Sequence, residues 1–300
     1  MYFAGTQSNE SEKLLGENNF KKLFSYYNDK SSMNRWFELY PNNKIFIDSG
    51  AFTAWTKNIS IDVDTYIEFL NNHVDNICLA GQVDCIAGEL NRKATMEEQY
   101  KASQDTWENY LYMYSKLKNP DCLLYTFHIG EDFKFLKQAL SWKNDKGEHF
   151  KYMALGGTVG KPVKEKEEWF RKCWEIIKNS DNPDVKVHAF GMTSLKLLEK
   201  FPFSSADSTS WLMTGANGNI FTKYGTIPIS NKLSKLPEHY SHLPKQCKEE
   251  VINEIQKIGY TVAELEDNYI TRSNYNILYT MEWAKNHKPV YKKSIKKSLF

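Results

Sequence analysis

The chain has 300 residues, of which 41% are hydrophobic and 14% aromatic, and 39 Lys and Arg stand against 37 Asp and Glu for a net charge of +2. That is enough apolar material for a sizeable core, and the near-balance of charge neither demands nor excludes a nucleic-acid partner, because local clustering outweighs the sum. No apolar run approaches the ~20 residues of a membrane span and the N-terminus carries no signal-peptide pattern, so a cytoplasmic protein without a membrane partner is expected.

Tyr2-Phe3-Ala4-Gly5 reads as a very short first strand, and Leu14, Leu15, Phe20, Leu23, Phe24 and Tyr27 give residues 11–28 a helical pattern. Residues 44–52 follow as a strand in which Ile45, Phe46 and Ile47 lead directly to Asp48, with Ser49-Gly50 breaking it. A helix is predicted over 62–73, with Asp62 or Asp64 as its cap and Tyr66, Phe69 and Leu70 on its apolar face. Residues 76–84 form a third strand, again closing on a carboxylate, Asp84. A long helix over 95–118 opens with Thr95 and Glu98 in capping-box spacing.

Further strands are predicted at 121–130, ending near His128, at 152–157, ending in Gly156-Gly157, and at 185–191, ending in Gly191. A seventh at 203–207 closes on Asp207, and an eighth is expected at 219–224. Helices fill the gaps at 131–142, 164–178 and 194–200, and periodic stretches recur at 246–258 and 262–286. Strict alternation of strands and helices argues for a parallel sheet with crossover connections. No GxGxxG opens a helix after the first strand, which disfavours a doubly wound sheet. The expectation is an α/β fold, a (β/α)8 TIM barrel over 1–230, followed by a C-terminal helical extension with a basic tail over 231–300. Lys288 to Phe300 holds five lysines and no acid, as a solvated terminus or a phosphate-contacting arm would.

The active site of such a barrel lies at the C-terminal ends of its strands. There the sequence places Asp48, Asp84, His128, Gly156-Gly157, Gly191 and Asp207. A single Asp in a βα loop can be a helix cap, but several carboxylates converging with glycines that admit a ligand suggest chemistry. They could also hold a divalent cation, although no HxH or HxxxH feeds the same mouth. His239-x-x-His242 with Cys247 is the one other cluster of ligand-like types, and it lies in a Lys-rich connection, 231–248. His188, mid-strand between Val187 and Ala189, reads as a core histidine. The five cysteines are scattered without a CxxC and read as reduced thiols.

Asp48-Ser49-Gly50-Ala51-Phe52, Leu155-Gly156-Gly157-Thr158-Val159-Gly160, His188-Ala189-Phe190-Gly191, Asp207-Ser208-Thr209 and the segment 215–222 occur in an order that resembles the tRNA-guanine transglycosylases and their DNA-modifying, DpdA-like relatives. The resemblance implies base exchange. Asp207 would be the nucleophile at C1′ and Asp48 the general acid and base, while Asp84 would pair with the guanine N1–H and 2-amino donors. It also assigns the Gly156 and Gly157 amides, with Ser49, to base binding, Phe52 or Trp55 to stacking, and His128 to the place of the family's glutamine. The zinc-binding CxCxxC…H of the tRNA enzymes has no counterpart here, so no cofactor is expected and DNA is the expected polymer, with tRNA as the alternative. The implied co-substrate is a free 7-deazaguanine such as 7-cyano-7-deazaguanine, in a host-cell cytoplasm if the source is viral, with a homodimer left open. A nucleoside N-glycosidase on the same barrel, and a barrel that only binds nucleic acid, are the competing readings.

Overall fold

The computed structural model describes residues 1–5, 8–89, 92, 94–192 and 194–287. Eight parallel strands close into a barrel: β1 (Tyr2–Ala4), β2 (Lys22–Ser25), β3 (Ile45–Asp48), β4 (Ile77–Gly81), β5 (Leu123–His128), β6 (Tyr152–Gly156), β7 (Lys186–Ala189) and β8 (Ser205–Ser208). Each strand pairs with the next, and β8 returns to β1 with Tyr2 opposite Asp207 and Phe3 opposite Ser208. The (β/α)8 barrel with C-terminal helices is therefore the fold.

Period-two alternation sorts the strand residues by layer. Leu23, Phe46, Leu79, Leu124 and Ala154 fill the barrel, while Phe24, Ile45, Ile47, Tyr125 and Phe127 pack outward against the helices. Asp48 falls on the inward face because it lies two residues beyond Phe46.

Two strand assignments change, and they cancel in the count. Residues 11–28 are not one helix: the helix spans Asn9–Glu17, Asn19 takes a left-handed backbone at φ 50°, and Lys22–Ser25 is β2. A strand of four residues is too short to declare an alternation, and its Leu23-Phe24 happens to continue the helical spacing. Residues 219–224 are not a barrel strand. Asn219–Thr222 (β9) pairs antiparallel with Gly225–Pro228 (β10), because Ile220 and Ile227 belong to a second core with Val251, Ile255, Leu265 and Tyr275.

That second core is built on the helices Lys245–Ile258, Val262–Asp267 and Tyr269–Asn286. The periodic stretch 262–286 is thus two helices, split where the Asn268 side chain accepts from the amides of Ile270 and Thr271. The last of them grips the helix Ser210–Ala216 that leaves β8. Arg272 Nε donates to Gly215 O at 2.8 Å and Asn276 Nδ2 to Trp211 O at 3.1 Å. Trp211 in turn donates its indole N–H to Ala4 O at 2.9 Å, across the closing seam of the barrel. Ser11 Oγ reaches Asn274 Oδ1 at 2.7 Å from the other side. The basic tail, 288–300, lies outside the described residues. Among those described, no helix is long and apolar enough to cross a membrane.

On the outer face of β2, Lys22 is fully buried, its Nζ bonded to Gly5 O and 4.9 Å from the centre of the Phe24 ring. Burial drives its pKa down from 10.5 to about 7 despite the attraction of Asp29 and Glu12. Between those values the unfolded chain holds a proton that the folded chain does not, so this group makes stability rise with pH across the window. Lys22→Met should therefore be more stable than wild type at pH 7, with the advantage shrinking towards pH 10. Urea midpoints at the two pH values test this; an advantage that grows with pH would show that the ammonium is well solvated or well paired.

Candidate active site

Asp207 ends the inward row of β8 and is buried. Its Oδ1 accepts from the Gly191 amide at 2.8 Å and lies 3.2 Å from His188 Nε2. Among the described residues its Oδ2 has no hydrogen bond. Gly191 adopts φ 61°, and a side chain there would meet Val159 Cγ2 at 2.9 Å. The loop after β7 thus needs glycine to aim an N–H at the carboxylate.

Asp48 ends the inward row of β3, and its Oδ2 accepts from the Gly50 amide at 3.2 Å. Burial, then the carboxylates of Asp84 and Asp207, push its pKa up to about 7, against the opposing pull of the Gly50 and Ser49 amides. Near neutral pH this carboxyl group is therefore partly protonated. Gly81, at the end of β4, leaves the space that Asp48 uses: a Cβ there would sit 3.3 Å from Asp48 Oδ1.

Asp84 lies three residues beyond β4 and is held from two sides, by Gln82 Nε2 on Oδ1 at 3.1 Å and by His128 Nε2 on Oδ2 at 3.2 Å. His128 Nδ1 is 2.9 Å from Glu131 Oε1. Burial opposes charge on this imidazole, yet the Asp84 and Glu131 carboxylates outweigh it and raise its pKa well above the usual histidine value. His128 is clamped between two acids that favour its charged form. Gly156 packs on its ring, since a Cβ there would come within 3.1 Å of His128 Cδ2, and Gly157 turns the chain at φ 71°.

The fold thus gathers Asp48, Asp84, His128, Gly156, Gly157 and Asp207 at one end of the barrel. The side chains of Ser49 and Phe52 stand outside the hydrogen-bonded network. Ser49 is buried with its Oγ accepting from the Ala51 amide at 3.3 Å, and Phe52 is exposed with its ring against Trp55. Trp55 donates its indole N–H to Gly88 O at 3.2 Å.

No protein-family model matches this chain, and no curated protein does. What the site can do has to be read from its atoms.

Two residues that sequence reasoning passed over belong to the site. Glu131 looks like the first residue of a helix, but the helix is Phe133–Ser141, capped by Asp132, and Glu131 turns back to His128. Gln82 is almost fully buried, with Nε2 on Asp84 and Oε1 without a partner among the described residues. Thr158, beside Gly157, is also fully buried, its hydroxyl unpartnered among the described residues. Unpaired polar atoms are uncommon in protein interiors, and here two of them flank the candidate base-binding residues. Cys85 is no competing nucleophile, because burial, with Asp105 and Asp84 nearby, lifts its thiol pKa to about 11.

Among the described residues, no group of three or more His, Cys, Asp or Glu is placed to hold a metal ion. His239 and His242 are each engaged locally, through Nδ1 with Ser241 Oγ at 2.8 Å and with Leu236 O at 3.0 Å.

Proposed function

We propose that the chain is a base-exchange transglycosylase that replaces guanine in DNA by a 7-deazaguanine such as 7-cyano-7-deazaguanine, through a covalent bond between Asp207 and the sugar. The observation that carries this reading is the pairing of two unlike carboxyl groups. Asp207 has one oxygen pinned by a backbone amide and, among the described residues, the other free, while burial and the neighbouring carboxylates raise the Asp48 pKa to about 7. Unlike carboxyls at one site are the equipment of retaining glycosyl transfer, in which one attacks and the other moves protons.

In the first half-reaction Asp207 Oδ2 bonds to C1′ as the C1′–N9 bond breaks. The electron pair goes to the departing guanine and the Asp48 proton neutralises it. In the second, the incoming deazaguanine gives its ring N–H proton to the Asp48 carboxylate and attacks C1′, expelling Asp207. Asp84 keeps unused lone pairs on both oxygens for the N1–H and 2-amino donors of the base, while Gln82 and His128 hold its plane. The target base must leave its stack to reach this depth. The lack of a CxCxxC zinc motif in the sequence favours DNA over tRNA.

The test is to incubate the protein with guanine-containing DNA or tRNA, with and without the free deazaguanine, and resolve the products on a denaturing gel. A protein–DNA adduct that the free base discharges is the expected result. An adduct with tRNA alone would move the substrate to tRNA. No adduct with either polymer would favour hydrolysis by an N-glycosidase or a binding-only barrel.

A further inference from the structure

Below Asp207 a chain of buried hydrogen bonds runs down the inside of the barrel. His188 Nε2 is 3.2 Å from Asp207 Oδ1, His188 Nδ1 is 2.6 Å from Ser205 Oγ, and Ser205 Oγ is 2.7 Å from Tyr152 OH. The imidazole is 0% exposed and is boxed edge-on by Phe190, Phe46 and Tyr2, with ring centres 4.7, 4.8 and 6.0 Å away. A histidine serving only as core filler has no need of two polar partners in line with a carboxylate.

With a neutral imidazole the chain has one self-consistent polarity. Tyr152 O–H donates to Ser205 Oγ, Ser205 O–H donates to His188 Nδ1, and His188 Nε2–H donates to Asp207 Oδ1. Reversed, it would set the bare lone pair of His188 Nε2 against the Asp207 carboxylate at 3.2 Å. We propose that His188 is a positioning residue for Asp207: its Nε2–H, together with the Gly191 amide, fixes Oδ1 so that Oδ2 is the oxygen left to attack, and Ser205 with Tyr152 holds the imidazole in the tautomer this requires. The proposal rests on the base-exchange reading for its chemical consequence, but not for its geometry.

Burial keeps the imidazole pKa below the usual histidine value, with Asp207 opposing. A neutral ring is what lets Ser205 donate to Nδ1, and a neutral donor holds Asp207 without neutralising it. The tautomer of a buried histidine is set by the partner of its other nitrogen, and Ser205 is that partner here.

The experiment uses the full chain as wild type, His188→Leu, His188→Gln and Ser205→Ala. Nitrogen NMR of the imidazole at pH 7.5 should show His188 neutral with its proton on Nε2; a charged ring or a proton on Nδ1 alone would overturn the proposal. Single-turnover adduct formation and equilibrium binding are then measured on the same guanine-containing single-stranded DNA. His188→Leu should slow adduct formation on the order of 10²-fold, the usual effect of losing one preorganised donor, with DNA affinity held within about twofold. His188→Gln, whose amide can still donate to Oδ1, should recover about tenfold of that. Unchanged rates in His188→Leu, or rate and affinity falling together in both variants, would reduce His188 to packing. If His188→Leu fails to fold, Ser205→Ala decides by the same rate and NMR criteria. If wild type forms no adduct, the base-exchange reading falls, while the NMR result still decides the polarity of the chain.

Discussion

Asp207→Asn should abolish the covalent adduct, lowering its rate of formation by at least about 10⁴-fold, as removal of a covalent nucleophile does. The substitution keeps the shape of the side chain. An amide oxygen can still accept from the Gly191 N–H at the position Oδ1 now holds, so the barrel should fold and bind DNA normally. What disappears is the negative charge that makes the free oxygen nucleophilic. A second consequence follows at Asp48, whose pKa is raised in part by the Asp207 charge. Removing that charge should lower the Asp48 pKa, which carboxyl NMR or infrared titration can follow. Normal adduct formation in Asp207→Asn would mean that another group attacks. An unmoved Asp48 would mean that the two carboxylates do not sense each other.

Asp48→Asn should slow guanine departure by about 10²- to 10⁴-fold, the range expected when a general acid is lost, while making the protein more stable at pH 8. The two effects have one origin. Asp48 has an ordinary value of 3.8 and a folded value of about 7, so within that window the folded state holds a proton that the unfolded state has released. Stability from this group is intact below pH 3.8 and is lost as pH rises through 7. Asparagine does not titrate, so the variant should have the higher melting temperature at pH 8 and a flatter profile from pH 4 to 8. Wild-type adduct formation should fall as pH rises past 7, following the loss of the Asp48 proton, and the residual rate of Asp48→Asn should lack that limb. A variant with normal turnover, or one less stable than wild type at pH 8, would make Asp48 a structural cap.

Much of the fold, and the meeting of the candidate residues at one mouth, was readable from sequence because the ends of barrel strands converge there. Asp48 declares itself as a carboxylate directly after Ile45-Phe46-Ile47 and two residues before Gly50, and Asp207 likewise closes a predicted strand. The barrel itself was legible from alternation, although β2 hid inside an apparent helix and β9 imitated a barrel strand. Short strands carry too few residues to show which core their apolar side chains will join. Gln82 and Glu131 were opaque for a different reason. Each acts through a partner only two or three residues away, Asp84 for Gln82 and His128 for Glu131, and a polar residue in a loop gives no sign of which neighbour it will turn to. The spacing His128-x-x-Glu131 after a strand end was the available signal. His188 could be placed in the core from its strand position, but its alignment with Ser205 and Asp207 depends on β7 and β8 being neighbours.

The contacts that tie the two ends of the chain together also bear on how the protein is made. Trp211 to Ala4 and Ser11 to Asn274 span 207 and 263 positions, and Arg272 and Asn276 hold the helix that carries Trp211. The seam between β8 and β1 is braced by a helix near the end of the sequence. A chain emerging from the ribosome can form its successive βα units early, but it cannot secure the closed ring until that final helix is out of the tunnel. Closing loops of this length is slow, and until it happens the edges of β1 and β8 are open to wrong partners. Assembly of the pocket around Asp207 thereby waits for that helix.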